Sequence, residues 1–208
     1  MADLAALTTA IVVGDRARTA AETRSALEDG VDPDSVLGAM IAAMDMVGEK
    51  FQHGELFVPE MMVSARAMKV GTDILEPLLA ASGFEPEHRA IVGTVEGDLH
   101  DIGKNLVGMM WKGGGLEVVD LGVNVSAARF VEAAREHDAH LIGISALLTT
   151  TMSNMGSVVD AIGEARLSAR VIVGGAPITP EYASQIGAHG YAPDAGAAVD
   201  LARGLLAS

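Results

Sequence analysis

Apolar positions follow two different periods along this chain, and one gives way to the other near residue 88. Before that point they recur at spacings of three and four, which indicates amphipathic helices. After it, short runs rich in Val and Ile alternate with helical patterns, which is typical of parallel strands joined by crossover helices. We therefore expect two domains, a helical one over residues 1–83 and an α/β one over residues 84–208.

The first eighty residues read as helices only. One helix lies in the first twenty residues, and a second covers Thr19–Leu27. Asp32 is expected to cap a third helix with Pro33 in its first turn. A fourth begins near Pro59, after a turn at residues 48–54. The pattern predicts a small four-helix bundle. The apolar positions of its last two helices are Val36, Leu37, Met40, Ile41, Met44 and Val47, then Met61, Met62, Ala65, Met68, Ile74, Leu75, Leu78 and Leu79.

Beyond a linker at Ser82–Glu87, the pattern predicts five strand–helix units. Strands are expected at 89–95, 117–121, 140–145, 170–174 and 190–191, and helices near 102–112, 126–137, 152–166, 180–188 and 195–206. Such an alternation indicates a doubly wound, five-stranded parallel sheet of the flavodoxin-like or Rossmann-like kind. The switch point of that strand order lies between the first and third strands, at the carboxyl edge where ligands bind.

The loop after the first strand carries the most specific chemistry. Asp98 and His100 stand two residues apart in it, and Asp101 is a candidate cap for the next helix. An imidazole at this edge can ligate a metal while a carboxylate fixes its other ring nitrogen. The alternative is that Asp98 only caps a helix and that His100 is solvated.

Two other loops reach the same edge. Ser145, Thr149 and Thr151 follow the third strand, and Gly174 and Gly175 end the fourth. Paired glycines let a bulky ligand approach the backbone because no Cβ intervenes. Alternatively, Thr151 caps a helix and the glycines form a tight turn. The convergence of three loops favours a single long ligand.

The predicted turn of the bundle and its flanks hold two of the four phenylalanines, Phe51 and Phe57. Phe57 is expected to pack in the core between helices. Phe51 and Val58 lie near a helix junction, where they either pack in the core or cover a ligand held by the α/β domain. The sequence leaves these two roles open.

Composition excludes several classes of function. The net charge of −14, from 28 acidic and 14 basic residues, argues against nucleic-acid binding. There is no cysteine, so disulfides, cysteinyl zinc sites and thiol chemistry are ruled out. No apolar run approaches the length of a membrane span, and the first residues lack the basic cluster of a secretory signal. We expect a cytoplasmic protein that binds neither membrane nor nucleic acid.

Common nucleotide and hydrolase motifs are absent. No Gly-x-Gly-x-x-Gly follows the first strand, and Asn105 follows Lys104 where a P-loop requires Ser or Thr. No Gly-x-Ser-x-Gly nucleophile elbow occurs either.

Asp98-x-His100-x-x-Gly103, Ser145-x-Leu147 and Gly174-Gly175 together resemble the corrinoid proteins of methyltransferase systems. They also resemble the cobalamin module of cobalamin-dependent methionine synthase. The strings over residues 97–105, 119–123 and 57–68 look like the same family, so the resemblance covers nearly the whole chain.

The resemblance implies that cobalamin binds with its benzimidazole tail displaced from cobalt and inserted into the α/β domain. His100 becomes the lower axial ligand of cobalt, Asp98 hydrogen-bonds His100, and Thr151 extends this proton relay. The other loop residues expected to contact the cofactor are Gly97, Leu99, Asp101, Ile102, Gly103 and Leu147.

The resemblance also assigns the remaining candidates. Ser145 and Thr149 would contact the buried tail, while Gly174 and Gly175 would make room for its nucleotide. The helical domain would form a cap over the methyl-bearing face of the cofactor. Phe51 falls at the position of the cap phenylalanine, and Val58 falls where methionine synthase has the larger leucine.

The implied function is that of a methyl carrier. A donor-specific methyltransferase would load a methyl group onto cobalt, and an acceptor methyltransferase would pass it to tetrahydrofolate or a thiol. Cobalt would cycle between Co(I) and methyl-Co(III), with His100 binding and releasing in each cycle. A reductive activation protein would rescue Co(II), and the chain alone is not expected to turn over.

Two other functions compete with this one. A cobalamin-dependent sensor is the first, but such regulators usually carry a DNA-binding segment and a cap tryptophan. Here Trp111 falls in the α/β domain, and no segment is basic. The second is a flavodoxin-like binding module without a corrin. The residues do not identify the methyl donor.

Overall fold

The structure, a computed structural model, describes residues 4–82 and 86–207, and the chain divides into two compact units. The first unit runs to Pro86 and includes Gly113–Gly115, and the rest of the chain from Glu87 onward forms the second. The predicted boundary at residues 83 and 84, and the centre of the predicted linker, lie outside the described residues. No helix in the described part combines the length and apolarity needed to cross a membrane.

The first unit is helical, as predicted. Its described helices are α1 (Leu4–Val12), α2 (Arg16–Glu28), α3 (Pro33–Gln52) and α4 (Val58–Ser82). The carboxylate of Asp15 caps α2 by accepting a hydrogen bond from the N–H of Arg18 at 2.9 Å. Apolar side chains at helical spacing form the core: Leu7, Ile11, Val36, Met40, Met44, Val47, Met61, Met68, Leu75 and Leu79.

Three local predictions for this unit are wrong. The turn expected at 48–54 is helical as far as Gln52, because Gly48 is buried within α3 and the left-handed Gly54 follows the helix. Asp32 occupies the N-cap position, but its side chain makes no capping hydrogen bond. Phe57 is 68% exposed rather than buried, because it sits in the turn that starts α4. Its N–H donates to the Glu60 carboxylate there, at 2.8 Å.

The second unit alternates strands and helices, as predicted. Its described strands are β1 (Arg89–Thr94), β2 (Glu117–Asp120), β3 (Leu141–Ser145), β4 (Arg170–Gly174) and β5 (Gly190–Tyr191). Its described helices are α5 (Ile102–Gly113), α6 (Ala127–Glu136), α7 (Ser153–Glu164), α8 (Pro180–Gln185) and α9 (Ala195–Leu206). Helix α8 is shorter than the predicted 180–188, because Gly187 adopts a left-handed conformation (φ +74°) that ends it.

The strand order is β2-β1-β3-β4-β5, and every neighbouring pair is parallel. In the register, Ile91 of β1 lies between Val119 and Ile142. The switch point therefore falls between β1 and β3, as predicted, and the loops after these strands open at the carboxyl edge.

Two glycines in the middle of strands let aromatic side chains pack on the sheet. A Cβ at Gly93 would lie 2.8 Å from the Phe130 ring, and one at Gly143 would lie 2.7 Å from the Trp111 ring. The indole N–H of Trp111 donates to the Ala198 carbonyl at 3.0 Å, so the buried ring ties α5 to α9. Because α5 begins two residues after His100, this packing fixes the position of the loop before it.

Candidate functional site

The loop between β1 and α5 is folded by its own backbone. Gly97 adopts a left-handed conformation (φ +83°) that turns the chain, and the Asp98 N–H donates to the Val95 carbonyl at 3.1 Å. The buried hydroxyl of Thr94 donates to the His100 carbonyl at 2.9 Å. These bonds hold Asp98 and His100 at the carboxyl end of β1.

Asp98 presents a fully buried carboxylate that accepts hydrogen bonds at both oxygens. Its Oδ1 lies 2.7 Å from Nδ1 of His100 and accepts from the His100 N–H at 3.1 Å. Its Oδ2 accepts from the N–H groups of Leu147 and Leu148, at 2.8 and 3.2 Å. The Thr151 hydroxyl donates to the same Oδ2 at 2.7 Å. The site therefore joins the loop after β1 to the loop after β3.

The donors around Asp98 determine its charge. Burial alone would raise the pKa of this carboxyl, but the hydrogen bonds from Leu147, Thr151 and His100 outweigh burial and hold that pKa well below its ordinary value of 3.8. The carboxylate is therefore ionised at neutral pH. A fixed anion at Nδ1 keeps the proton of a neutral His100 on that nitrogen, which leaves the lone pair on Nε2.

Large aliphatic side chains stand exposed around this pair. The exposed fractions are 72% for Leu99 and Ile102, and 41% and 42% for Leu147 and Leu148. The His100 side chain between them is half exposed. A group of exposed aliphatic residues around one imidazole is typical of a surface that a partly apolar ligand covers.

The other predicted loop residues lie at the same edge. Ser145 ends β3 beside Thr94, and its carbonyl accepts from the Val95 N–H at 3.0 Å. Thr149 is exposed in the turn after β3. Thr151 does not cap α7 at its N-cap position, which Met152 occupies. Its hydroxyl binds Asp98 instead, so the capping alternative for Thr151 is wrong.

Backbone crowding explains the paired glycines in part. A Cβ at Gly175 would lie 1.9 Å from the Ala146 carbonyl oxygen, and the residue has a φ of +133°. A Cβ at Gly174 would lie 3.0 Å from the Ala192 carbonyl oxygen. Close approach of protein backbone is therefore a reason for both glycines that is independent of any ligand.

The other predicted residues, and two other histidines, lie outside the loops at the carboxyl edge of the sheet. Phe51 and Val58 belong to the helical unit, where both are partly buried. His140 and His189 accept backbone hydrogen bonds at the opposite, amino edge of the sheet, from Arg89 and Val171 respectively. Across residues 4–82 and 86–207, no three or more His, Asp or Glu side chains group to hold a metal ion.

Sequence reasoning missed two contacts near the site. Asn124 accepts a hydrogen bond from the Gly97 N–H at 2.8 Å, and its own N–H donates to the Asp98 carbonyl at 3.0 Å. Lys104, with its side chain only 2% exposed, lies 2.6 Å from both carboxylate oxygens of Asp120. The sequence offered one signal for the second contact, since Lys104 and Asp120 fall within the segments 97–105 and 119–123 that resemble the family.

Comparison with known proteins identifies the family. The chain matches two family models that are each described as a B12 binding domain, one over residues 4–76 and one over residues 88–200. A corrinoid protein of Desulfitobacterium hafniense (strain Y51) is 42% identical over 203 residues, which cover 95% of this chain and 94% of that protein. The chain belongs to the corrinoid protein family.

Further relatives of this corrinoid protein agree. Dimethylamine corrinoid protein 3 of Methanosarcina acetivorans is 45% identical over 180 residues, which cover 85% of this chain and 84% of that protein. The methanol:cobalamin methyltransferase complex MtaBC from Methanosarcina barkeri contains a similar fold. It matches with a TM-score of 0.88 and 28% identity over 99% of this chain and 80% of that chain. The predicted family and fold class are therefore confirmed.

The site has the chemistry that a corrinoid needs. Cobalt held in a corrin would take a further donor from the protein, and an imidazole nitrogen would suit it. His100 offers Nε2, because the buried Asp98 carboxylate holds its other nitrogen at 2.7 Å. The exposed aliphatic side chains around it suit a broad, partly apolar macrocycle. The described residues thus fit the cofactor that the family binds.

Proposed function

We propose that this corrinoid protein carries a methyl group between two methyltransferases, and that Nε2 of His100 is the lower axial ligand of its cobalt. The observation that carries the proposal is the 2.7 Å contact between His100 Nδ1 and the buried Asp98 carboxylate. A carboxylate behind a ligating imidazole fixes its ring orientation and raises its basicity. The names of the relatives support the methyl-carrier role.

The proposal assigns a binding role to each loop. The displaced benzimidazole tail enters the α/β unit and contacts Ser145 and Thr149, and its nucleotide lies beside the backbone of Gly174 and Gly175. The exposed side chains of Leu99 and Ile102 contact the corrin. The helical unit covers the methyl-bearing face, with Phe51 and Val58 as its shielding residues.

His100 also changes its contacts during the cycle in this proposal. A bound corrinoid would supply a cobalt centre that accepts and gives up a methyl group between Co(I) and methyl-Co(III), and only the methylated state would need the imidazole. His100 would therefore bind cobalt in one state and be released in the other. The contact between the Asp98 carboxylate and Nδ1 would hold the released ring in the same orientation.

Asp98 stays ionised, so this proposal does not retain the proton relay through Asp98 and Thr151 that the resemblance implies. The hydrogen bonds from Leu147, Thr151 and His100 hold its pKa well below the ordinary value. The Thr151 hydroxyl, which donates to Oδ2, serves to hold that charge in place.

The partners in this proposal are a donor-specific methyltransferase, an acceptor methyltransferase and a reductive activation protein. A relative is named for dimethylamine, and a similar structure belongs to a methanol methyltransferase complex. We accordingly propose that the donor is a small methylated amine or alcohol, and that selectivity resides in the partner enzyme.

Reconstitution tests the proposal. The purified chain is mixed with hydroxocobalamin, separated by gel filtration, reduced, and assayed for methylation with methyltransferases specific for dimethylamine and for methanol. The chain is expected to retain the corrin and to become methylated with one of them. His140→Ala, at the opposite edge of the sheet, serves as the matched control and should behave like the wild type. A chain that emerges colourless under varied loading conditions would contradict the proposal.

A further inference from the structure

The loop after β2 lies alongside the loop that carries His100. Within it, Asn124 makes two hydrogen bonds to two consecutive residues of the other loop. Its Oδ1 accepts from the Gly97 N–H at 2.8 Å, and its N–H donates to the Asp98 carbonyl at 3.0 Å. One residue thus holds the peptide segment immediately before His100 from two points.

The backbone of Asn124 is suited to this double contact. Its φ of +56° is in the left-handed region, which Asn enters more readily than most other residues that carry a Cβ. In this conformation the main-chain N–H and the side-chain oxygen both meet the neighbouring loop. An ordinary residue here would lose the side-chain acceptor and would also strain the backbone.

The start of the same loop is anchored to α5. The buried Lys104 in the first turn of α5 lies 2.6 Å from both oxygens of the Asp120 carboxylate. Oδ1 of Asp120 also accepts from the Gly122 N–H at 2.8 Å, and the Gly122 carbonyl accepts from the Thr94 N–H at 3.0 Å. The loop is therefore tied to the chain on both sides of His100.

We infer that residues 120–124, here called the β2 strap, position the imidazole of His100, with Asn124 as the positioning residue. The inference rests on the proposed function, because it takes His100 as the cobalt ligand. Leu147, Leu148 and Thr151 hold only the carboxylate of Asp98. The strap holds its main chain, and both must be fixed for the His100 ring to keep one orientation.

Three variants distinguish loss of the Asn124 contact from a general loss of protein stability. Asn124→Gly removes the side-chain acceptor and retains access to the left-handed conformation. Asn124→Asp keeps an acceptor oxygen and also tolerates that conformation. Arg166→Gly is the matched control, since Arg166 is another non-glycine residue with a left-handed backbone (φ +53°) and lies in the loop between α7 and β4 at the opposite edge.

The first measurement needs no cofactor. Amide hydrogen exchange of Gly97 is followed by nuclear magnetic resonance in the cofactor-free protein. Exchange should quicken by about tenfold in Asn124→Gly, because the amide loses its acceptor. It should stay close to the wild-type rate in Asn124→Asp and Arg166→Gly. Unchanged exchange in Asn124→Gly would show that Asn124 does not hold the loop and would overturn the inference.

The second measurement uses protein loaded with hydroxocobalamin and reduced to Co(II). Electron paramagnetic resonance reports the fraction of cobalt with an axial nitrogen. That fraction should fall in Asn124→Gly and recover in Asn124→Asp, with Arg166→Gly unaffected. The inference would be overturned if Asn124→Gly kept the full fraction of nitrogen-ligated cobalt, or if Asn124→Asp lost as much of it as Asn124→Gly.

If the wild type itself lacks the nitrogen signal, the proposal that His100 is the cobalt ligand fails, and the inference that the β2 strap positions that ligand fails with it. The Gly97 exchange result then stands alone as the test of loop holding.

Discussion

The Thr151 hydroxyl and the Asp98 carboxylate form a 2.7 Å hydrogen bond between two buried side chains that are 53 residues apart in sequence. The bond engages Oδ2 of Asp98, so Oδ1 is left to His100. The two oxygens therefore have separate tasks. One fixes Asp98 to the loop after β3, and the other orients the candidate ligand.

Replacement of Thr151 tests the first of these tasks. Thr151→Val keeps the shape of the side chain but removes one donor from a buried carboxylate. Its free energy of unfolding should fall by about 1–3 kcal/mol, as expected when a charged acceptor loses a partner. Urea unfolding of the cofactor-free protein measures this. Thr151→Ser, which keeps the hydroxyl, is the control and should lie closer to the wild type. Equal stability of the two variants would show that the hydroxyl contributes nothing.

The charge of Asp98 predicts a pH dependence of stability. Its pKa in the folded chain lies below the ordinary value of 3.8. Its ionised form therefore stabilises the fold above that value, and the contribution is lost progressively as the pH falls through 3.8 toward the folded pKa. Asp98→Asn lacks this contribution.

Urea unfolding of the wild type and Asp98→Asn between pH 7 and about pH 3 measures the effect. The wild type should be the more stable at pH 7, and the difference should shrink toward the acid end. A difference that stays constant, or that grows as the pH falls, would mean that the carboxylate is not held ionised by its donors.

The Lys104–Asp120 ion pair should respond unequally to the loss of its two partners. The Lys104 side chain is 2% exposed, whereas that of Asp120 is 44% exposed. Asp120→Asn leaves a buried ammonium group without its counter-ion and should cost about 3–5 kcal/mol. Lys104→Met leaves a carboxylate that water can reach, and it should cost less. Chemical denaturation of both variants tests this order, and a larger loss for Lys104→Met would contradict it.

The shielding role proposed for Phe51 predicts a photochemical effect. Phe51→Ala should retain the corrin, because most proposed contacts come from the α/β unit, yet methylcobalamin bound to it should photolyse faster. Phe57→Ala is the matched control, since Phe57 is 68% exposed and carries no proposed role. Photolysis rates are compared under identical illumination. Equal rates for Phe51→Ala and the wild type would restrict Phe51 to a packing role.

The strand positions could be predicted from the sequence because β-branched runs such as Ile91–Val92 and Val171–Val173 are buried on the sheet. Each predicted strand agrees with the structure within one residue at either end. The strand order followed from the number and alternation of the elements. The contact between Asp98 and His100 was predicted from their spacing of two residues and from the resemblance.

Other features had no signal in the sequence. The donors from Leu147 and Leu148 to Asp98 are backbone N–H groups, which every residue except proline has, so their identity reveals nothing. The contact of Asn124 depends on a left-handed backbone that other residue types also adopt at times. Phe57 was expected in the core because it is aromatic, but its position at a helix start decides its exposure.

The proposal that His100 binds cobalt can be tested directly by identifying the axial ligand. The Co(II) form of the reconstituted protein is examined by electron paramagnetic resonance, where a single axial nitrogen splits each cobalt line into three. The wild type and His140→Ala should show this splitting, and His100→Gly should lose it while retaining some corrin through the tail. Splitting that persists in His100→Gly, with the benzimidazole tail still displaced, would show that another residue binds cobalt and would rule out His100 as the ligand.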